Sequence, residues 1–222
     1  DPATFARMSD TRVPVQAVLD GISAAQAAGL GQGLKINMVV QRGVNDAQVL
    51  PMARHFRGQG VALRFIEYMD VGSSNGWRMD QVLPSAQLLA LLQAEFALVA
   101  LPVRAGETAQ RWLHVNATGE ADARGGEIGF ISSVSQAFCS SCTRARLSAD
   151  GRLFSCLFAH QGLDLRTPLR AGASDAHVRQ AIMDFWSTRH DRYSQLRQGA
   201  SDPGTGPVQP ESPRIEMSYI GG

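Results

Sequence analysis

All three cysteines of this 222-residue chain fall in one short stretch, Cys139, Cys142 and Cys156, spaced C-x2-C-x13-C. A disulfide framework does not suit them, because the count is odd and a chain of this length buries a hydrophobic core without covalent staples. A redox C-x-x-C sits in a thioredoxin-type βαβ setting, which the flanking sequence lacks. Ligation of a metal or cluster is the favoured reading, with separately buried structural cysteines as its rival. Two donor sets stay open at this point. Cys156-x3-His160 would complete a Cys3His zinc site. Without His160, three thiolates suit an iron-sulfur cubane that keeps one iron free for an exogenous ligand.

The cysteines bracket a predicted hairpin: Thr143 to Ser148 as a strand, Ala149-Asp150-Gly151-Arg152 as a tight turn, and a returning strand that leads to Cys156. On a strand, Arg144 and Arg146 project from one face, so two guanidinium forks are expected side by side, matched to phosphate or carboxylate oxygens. The alternative is a pair of solvated surface arginines, which the clustered thiols make less attractive. Twenty-one basic against twenty acidic side chains leave 21 − 20 = +1, so any anion site is local, and no nucleic-acid or membrane partner is expected. No apolar run approaches the roughly 18–20 residues of a membrane span. Lys35, the one lysine in the sequence, starts a predicted strand, where it can reach a phosphate as a point charge. Gly29, Gly31 and Gly33 precede that strand, the wrong order for a dinucleotide fingerprint, and are read as a turn. His55, His114, His177 and His190 show no ligand-like spacing and receive no role.

Along the chain, helical periodicity over residues 14–28 is followed by a β-branched strand over 34–40, a helix begun at Asn45-Asp46, a strand over 61–69, a polar glycine loop over 70–75 and a leucine-lined helix over 85–96. This alternation predicts an α/β fold with a parallel sheet. After about residue 98 short strands at 97–103, 111–115 and 128–134 suggest hairpins, and a further helix over 175–188, capped by Ser174, carries Val178, Ile182, Phe185 and Trp186 on one side. Residues 198–213, rich in Ser, Gly and Pro, read as a mobile linker before a more apolar end. The sequence opens on Asp1-Pro2 without an initiator methionine, from which an N-terminal truncation is expected.

Leu34-Lys35-Ile36-Asn37-Met38-Val39-Val40 with Gly43-Val44-Asn45-Asp46, then Arg64-Phe65-Ile66-Glu67-Tyr68-Met69, then Gly129-Phe130-Ile131-Ser132 running into Phe138-Cys139, closely resemble one family. This is the molybdenum cofactor biosynthesis protein A family, the radical-SAM GTP 3′,8-cyclases. The resemblance continues through Cys142-Thr143-Arg144-Ala145-Arg146-Leu147, Cys156-Leu157-Phe158, Asp164-Leu165-Arg166 and Gly221-Gly222, and so covers nearly the whole chain.

The resemblance implies a partial β/α barrel lacking its N-terminal strands, followed by a C-terminal antiparallel region that holds an auxiliary 4Fe-4S cluster. The divisions expected are 1–97 for the later part of the barrel, 98–197 for the cluster and GTP-binding region, and 198–222 for a flexible tail. Cys139, Cys142 and Cys156 match the auxiliary cluster's ligands, and its open iron would meet the guanine of GTP. Arg144, Arg146 and Lys35 match substrate-binding positions, and Met69 matches a residue whose backbone contacts S-adenosylmethionine. Gly221 and Gly222 match a glycine pair that enters the catalytic cavity. The implied reaction starts with a 5′-deoxyadenosyl radical from S-adenosylmethionine, which removes the C3′ hydrogen of GTP. Closure onto C8 then gives 3′,8-cyclo-7,8-dihydroguanosine triphosphate, the first step of molybdenum cofactor biosynthesis.

The family's radical-generating cluster uses a C-x3-C-x2-C motif, and no cysteine precedes Cys139 here, so that cluster and its ligands are expected upstream and this segment is expected to be inactive alone. A cytoplasmic location and a metabolic link to cyclic pyranopterin monophosphate synthase are also implied, and a homodimer is compatible with the family. The rival readings are another radical-SAM enzyme with an auxiliary cluster and a noncatalytic zinc module built on Cys139, Cys142, Cys156 and His160.

Overall fold

The computed structural model describes residues 1–30, 33–71, 75–104, 106–139, 142–199, 215–217 and 219–220. The chain divides into two compact units, one of residues 1–68 with 78–136 and one of residues 69–77 with 137–222.

The first unit opens with helices α1 (Pro2–Ser9) and α2 (Val15–Ala25), and a further helical turn ends where Gly29 takes φ 78°. Its sheet contains β1 (Lys35–Val40), β2 (Ala62–Glu67), β3 (Leu98–Ala100), β4 (Gln110–Val115) and β5 (Ala121–Ile131) in the order β1-β2-β5-β4-β3. The β1–β2 and β2–β5 pairs are parallel; β3–β4 and β4–β5 are antiparallel. Helices α3 (Val49–Phe56) and α4 (Ser85–Gln93) bring Val49, Ala53, Phe56, Leu88 and Leu92 into one core with Val40, Leu63, Phe65, Ile128 and Phe130. Period-two alternation explains which side is filled: Leu63, Phe65 and Glu67 are buried, while the neighbouring positions along β2 are only half-buried.

Two differences from the sequence pattern matter. Strand β5 begins at Ala121, not near Ile128, because the β4–β5 register shifts between Leu113 and His114 and lets the polar, glycine-bearing segment 121–127 join the ladder. Moreover, the expected hairpins β3–β4 and β4–β5 form, but within the first sheet. Strand β5 pairs in parallel with β2, so the first sheet continues past residue 97 and its unit runs to Gln136.

Glu67, fully buried at the end of β2, accepts hydrogen bonds from the backbone N–H groups of Ser85 (2.7 Å), Val134 (2.8 Å) and Ser135 (2.7 Å). The hydroxyls of Ser85 (2.9 Å) and Ser135 (2.5 Å) donate to it as well. A helix start has N–H groups without intrahelical partners, so this one side chain ties β2 to the start of α4 and to the segment after β5.

The second unit is built from smaller pieces. Strands β6 (Arg146–Leu147), β7 (Arg152–Phe154) and β8 (Leu163–Asp164) form an antiparallel sheet in that order. The β6–β7 turn depends on Gly151, whose φ is 84° and where an added Cβ would stand 2.9 Å from the Cβ of Arg166, leaving no place for a side chain. Helices α5 (Arg166–Arg170), α6 (Asp175–Ser187) and α7 (Tyr193–Gly199) follow, with the Ser174 hydroxyl accepting from the N–H of His177 at 3.3 Å as the cap of α6. Near the C-terminus Ile220 is buried, and the Tyr219 hydroxyl donates to Asp150 at 2.6 Å. The expected linker at 198–213 and the terminal Gly221-Gly222 lie outside the described residues, apart from the backbone of 198–199. Among the described residues no helix is long and apolar enough to cross a membrane.

Candidate functional site

The cysteines are half-buried free thiols in the second unit. The N–H of Cys142 donates to the carbonyl of Cys139 at 3.3 Å, and both residues line a cavity of about 570 Å³. Trp186, Arg189, His190, Asp191 and Arg192 line the same cavity. Cys156 follows β7, and its sulfur accepts from the N–H of Phe158 at 3.4 Å.

The electrostatics distinguish two of the thiols. At Cys142 burial pushes the pKa up, but the N–H and guanidinium of Arg144, together with the charge of Arg189, outweigh it and leave the thiol below its ordinary value. At Cys156 burial dominates and raises the pKa, aided by the charges of Asp191 and Cys139 and opposed by the Phe158 N–H and Arg146. Arg146 itself is pulled down, first by burial and then by repulsion from Arg144, while Cys156 and Cys142 act in the opposite sense. These mutual influences place the two arginines and the cysteines in one electrostatic neighbourhood.

Among the described residues no three His, Cys, Asp or Glu side chains are grouped so that they could hold a metal ion. Thiolates on one zinc stand about 3.8 Å apart, from two 2.3 Å bonds at the tetrahedral angle. His160 lines a different cavity, of about 580 Å³, with Arg152, Phe154, Gln161, Glu216 and Tyr219. Neither His160 nor Cys156 lines the cavity that Cys139 and Cys142 share.

The two arginines are not presented as a strand pair. Strand β6 starts only at Arg146, and Arg144 precedes it, exposed, with its guanidinium carbon 5.2 Å from the centre of the Phe138 ring. Met69 is half-buried, and its carbonyl accepts from the Asn75 amide at 2.9 Å. In the same segment Asp70 accepts from the hydroxyl of Tyr193.

Lys35 belongs to the first unit. It is exposed at the start of β1 and lines a cavity of about 290 Å³ with Arg64, Arg104, Glu107, Arg111 and Glu127. Arg111 is engaged by Glu107 at 2.8 Å and Glu127 at 3.2 Å, whereas the buried Nε of Arg64 has no hydrogen-bond partner among the described residues. Lys35 and Arg64 share a sheet face by register, since Lys35 pairs with Ala62, two residues before Arg64.

Sequence reasoning missed Arg64, Arg189 and Asp191, and gave His190 no role although it lines the cysteine cavity. The available signal was weak: a compact charged run, Arg189-His190-Asp191-Arg192, directly after a predicted helix.

A family model described as Molybdenum Cofactor Synthesis C matches residues 61–195. A curated protein of Xanthomonas axonopodis pv. citri, named GTP 3′,8-cyclase, is 53% identical over 225 residues, covering 100% of this chain and 61% of that protein. A GTP 3′,8-cyclase of Acidothermus cellulolyticus is 45% identical over 241 residues, with 100% and 64% covered. One of Synechococcus sp. strain CC9605 is 44% identical over 211 residues, with 94% and 56% covered. The chain thus spans roughly three fifths of the length of the curated relatives it matches. With more than half of its residues fitting that family model, the chain belongs to the Molybdenum Cofactor Synthesis C family.

Proposed function

We propose that this chain works as part of a radical-SAM GTP 3′,8-cyclase and that Cys139, Cys142 and Cys156 hold its auxiliary 4Fe-4S cluster. The observation that carries this reading is the electrostatic neighbourhood of three free thiols with Arg144 and Arg146, two of the thiols opening onto a cavity of about 570 Å³. When bound, S-adenosylmethionine with a cluster of its own supplies the radical chemistry, and the cluster on these cysteines supplies an iron open to the purine.

The chain's own residues bind and orient. Arg144 and Arg146 grip the triphosphate of GTP, and Lys35 with Arg64 offers further cationic groups. Holding the nucleotide at several points fixes the ribose C3′ in one place, which is how binding lowers the entropic part of the barrier. The backbone near Met69 meets S-adenosylmethionine, and the terminal Gly221 and Gly222 enter the catalytic cavity, small residues being suited to a close approach. No cysteine precedes Cys139, so the residues here supply binding and positioning, and the segment is inactive without the radical-generating cluster. The reaction runs in the cytoplasm, where thiols stay reduced. Cyclic pyranopterin monophosphate synthase takes the product, and a homodimer remains the assembly to test.

Arg144→Ala tests the reading. Losing a hydrogen bond to a charged group costs about 1.5–3 kcal/mol, so GTP affinity should fall by about 10-fold to 100-fold with the iron content of the anaerobically purified protein retained. Unchanged GTP affinity would remove the phosphate role.

A further inference from the structure

The segments that carry Cys142 and Cys156 are joined by a continuous polar path running through two residues outside the cysteine stretch. Nη1 of Arg189 donates to the carbonyl of Cys142 at 2.6 Å, and its Nε lies 3.2 Å from Oδ2 of Asp191. The same Asp191 oxygen accepts from the hydroxyl of Ser155 at 2.6 Å, one residue before Cys156. The guanidinium of Arg189 is further fixed over Trp186, 4.7 Å from the ring centre, and its side chain is only 12% exposed.

From this path we infer that Arg189 and Asp191 are positioning residues for the cysteine site, a brace that holds the Cys142 turn and the Ser155–Cys156 segment at the separation a cluster requires. The inference rests on the cluster reading given above. Thirteen residues separate the two cysteines, and the short strands β6 and β7 contribute only two paired positions between them. Backbone pairing alone therefore leaves the spacing of the sulfurs weakly fixed and lets the two segments spread. A brace made outside the loop opposes that spreading without occupying a coordination position. Only a planar fork can serve both the Cys142 carbonyl and Asp191 at once, so lysine is not an adequate substitute at residue 189. Asp191 acts here as an acceptor shared by two donors, a role that an asparagine oxygen partly preserves.

The test uses the full protein reconstituted anaerobically, with the Cys139→Ser/Cys142→Ser/Cys156→Ser variant as the zero for iron held at this site. Iron above that zero, and the rate at which a chelator removes it, are measured for wild type, Arg189→Ala, Arg189→Lys, Asp191→Ala, Asp191→Asn, Ser155→Ala and the Arg189→Ala/Asp191→Ala double variant. Groups that orient metal ligands typically change metal affinity by about 10-fold to 100-fold. Accordingly, the two single alanine variants and Arg189→Lys should lose iron about 10-fold faster than wild type. Asp191→Asn should fall between wild type and Asp191→Ala, and the double variant should be no worse than the poorer single. Ser155→Ala, which deletes one hydroxyl, keeps the test open if the arginine variants do not fold, and should show a smaller acceleration of the same kind. Wild-type rates throughout, or a double variant equal to the product of the singles, would overturn the brace while leaving the cluster reading intact. Wild-type protein holding no iron above the zero would overturn both.

Discussion

In the first unit Phe65, Phe130, Leu88 and Leu92 are buried to 1% exposure or less beneath two helices, and Glu67 at the edge of that core collects five hydrogen bonds. In the second, the buried apolar side chains among the described residues are Leu153, Phe154, Phe158, Leu165 and Ile220, and the strands are two or three residues long. Its long-range ties include polar ones, Arg189 to Cys142, Asp191 to Ser155 and Tyr219 to Asp150, beside the ring contacts of Phe158 with Tyr193 and Phe154 with Tyr219. A segment with so little apolar burial draws a larger share of its stability from whatever binds it, because ligand binding to the folded state adds directly to folding free energy. The first unit is a scaffold that stands on its own packing. The second has less apolar packing of its own among the described residues.

Replacing Cys139, Cys142 and Cys156 by serine should break this contrast furthest. Amide hydrogen exchange over residues 142–165 should lose protection on the order of 10³-fold, since the proposed cluster would couple its binding to folding there, while strands β1, β2 and β5 exchange as before. Equal loss in both units would mean that the division drawn here is not an energetic one.

Glu67→Ala acts on the other side of the comparison. It leaves the N–H groups of Ser85, Val134 and Ser135 without their acceptor, and unpaired buried groups cost about 1–3 kcal/mol each before water enters. A loss of about 3 kcal/mol in urea unfolding, with iron content unchanged, is the expected outcome. A change within about 0.5 kcal/mol, the size of an ordinary surface substitution, would show that the carboxyl is not what joins β2 to α4.

How much of this was readable beforehand follows the same contrast. Strands β1 and β2 and helices α3, α4 and α6 announced themselves by local periodicity, because their partners in the core impose a regular pattern of apolar positions. The first half of β5 did not. Asp122, Arg124, Gly125 and Gly126 have poor strand character; Asp122 pairs with His114, and the other three lie where the β4 register jumps from Glu127 to Asp122. Strand pairing also misled at Arg144, since a facing pair of arginines requires a strand that begins two residues earlier than β6 does. The cysteine spacing was legible because all three fall in one short stretch. Arg189 and Asp191 were not, for their contacts reach back 47 and 36 residues to groups that sequence cannot assign.

The smallest effect concerns pH. His114 is buried under Phe96, its ring edge-on at 5.3 Å, and its Nδ1 has no hydrogen-bond partner among the described residues. Burial first, then the charge of Arg57, lower its pKa, with Asp122 opposing. The unfolded chain therefore takes up a proton near the ordinary value of 6.5 before the folded chain does, and stability falls as pH drops from that value toward the lower folded one. In urea unfolding between pH 7.5 and 5.5, His114→Leu should show a flatter decline than wild type. An identical slope would place the acid sensitivity elsewhere.

Most directly, the reduced protein should be titrated with ¹⁵N-labelled GTP while the hyperfine couplings of the cluster on Cys139, Cys142 and Cys156 are recorded. Nitrogen coupling that appears only with nucleotide, and disappears in the triple serine variant, is the expected result. A nitrogen already bonded to that cluster before nucleotide is added, and unmoved by it, would contradict the reading of this site as a nucleotide holder.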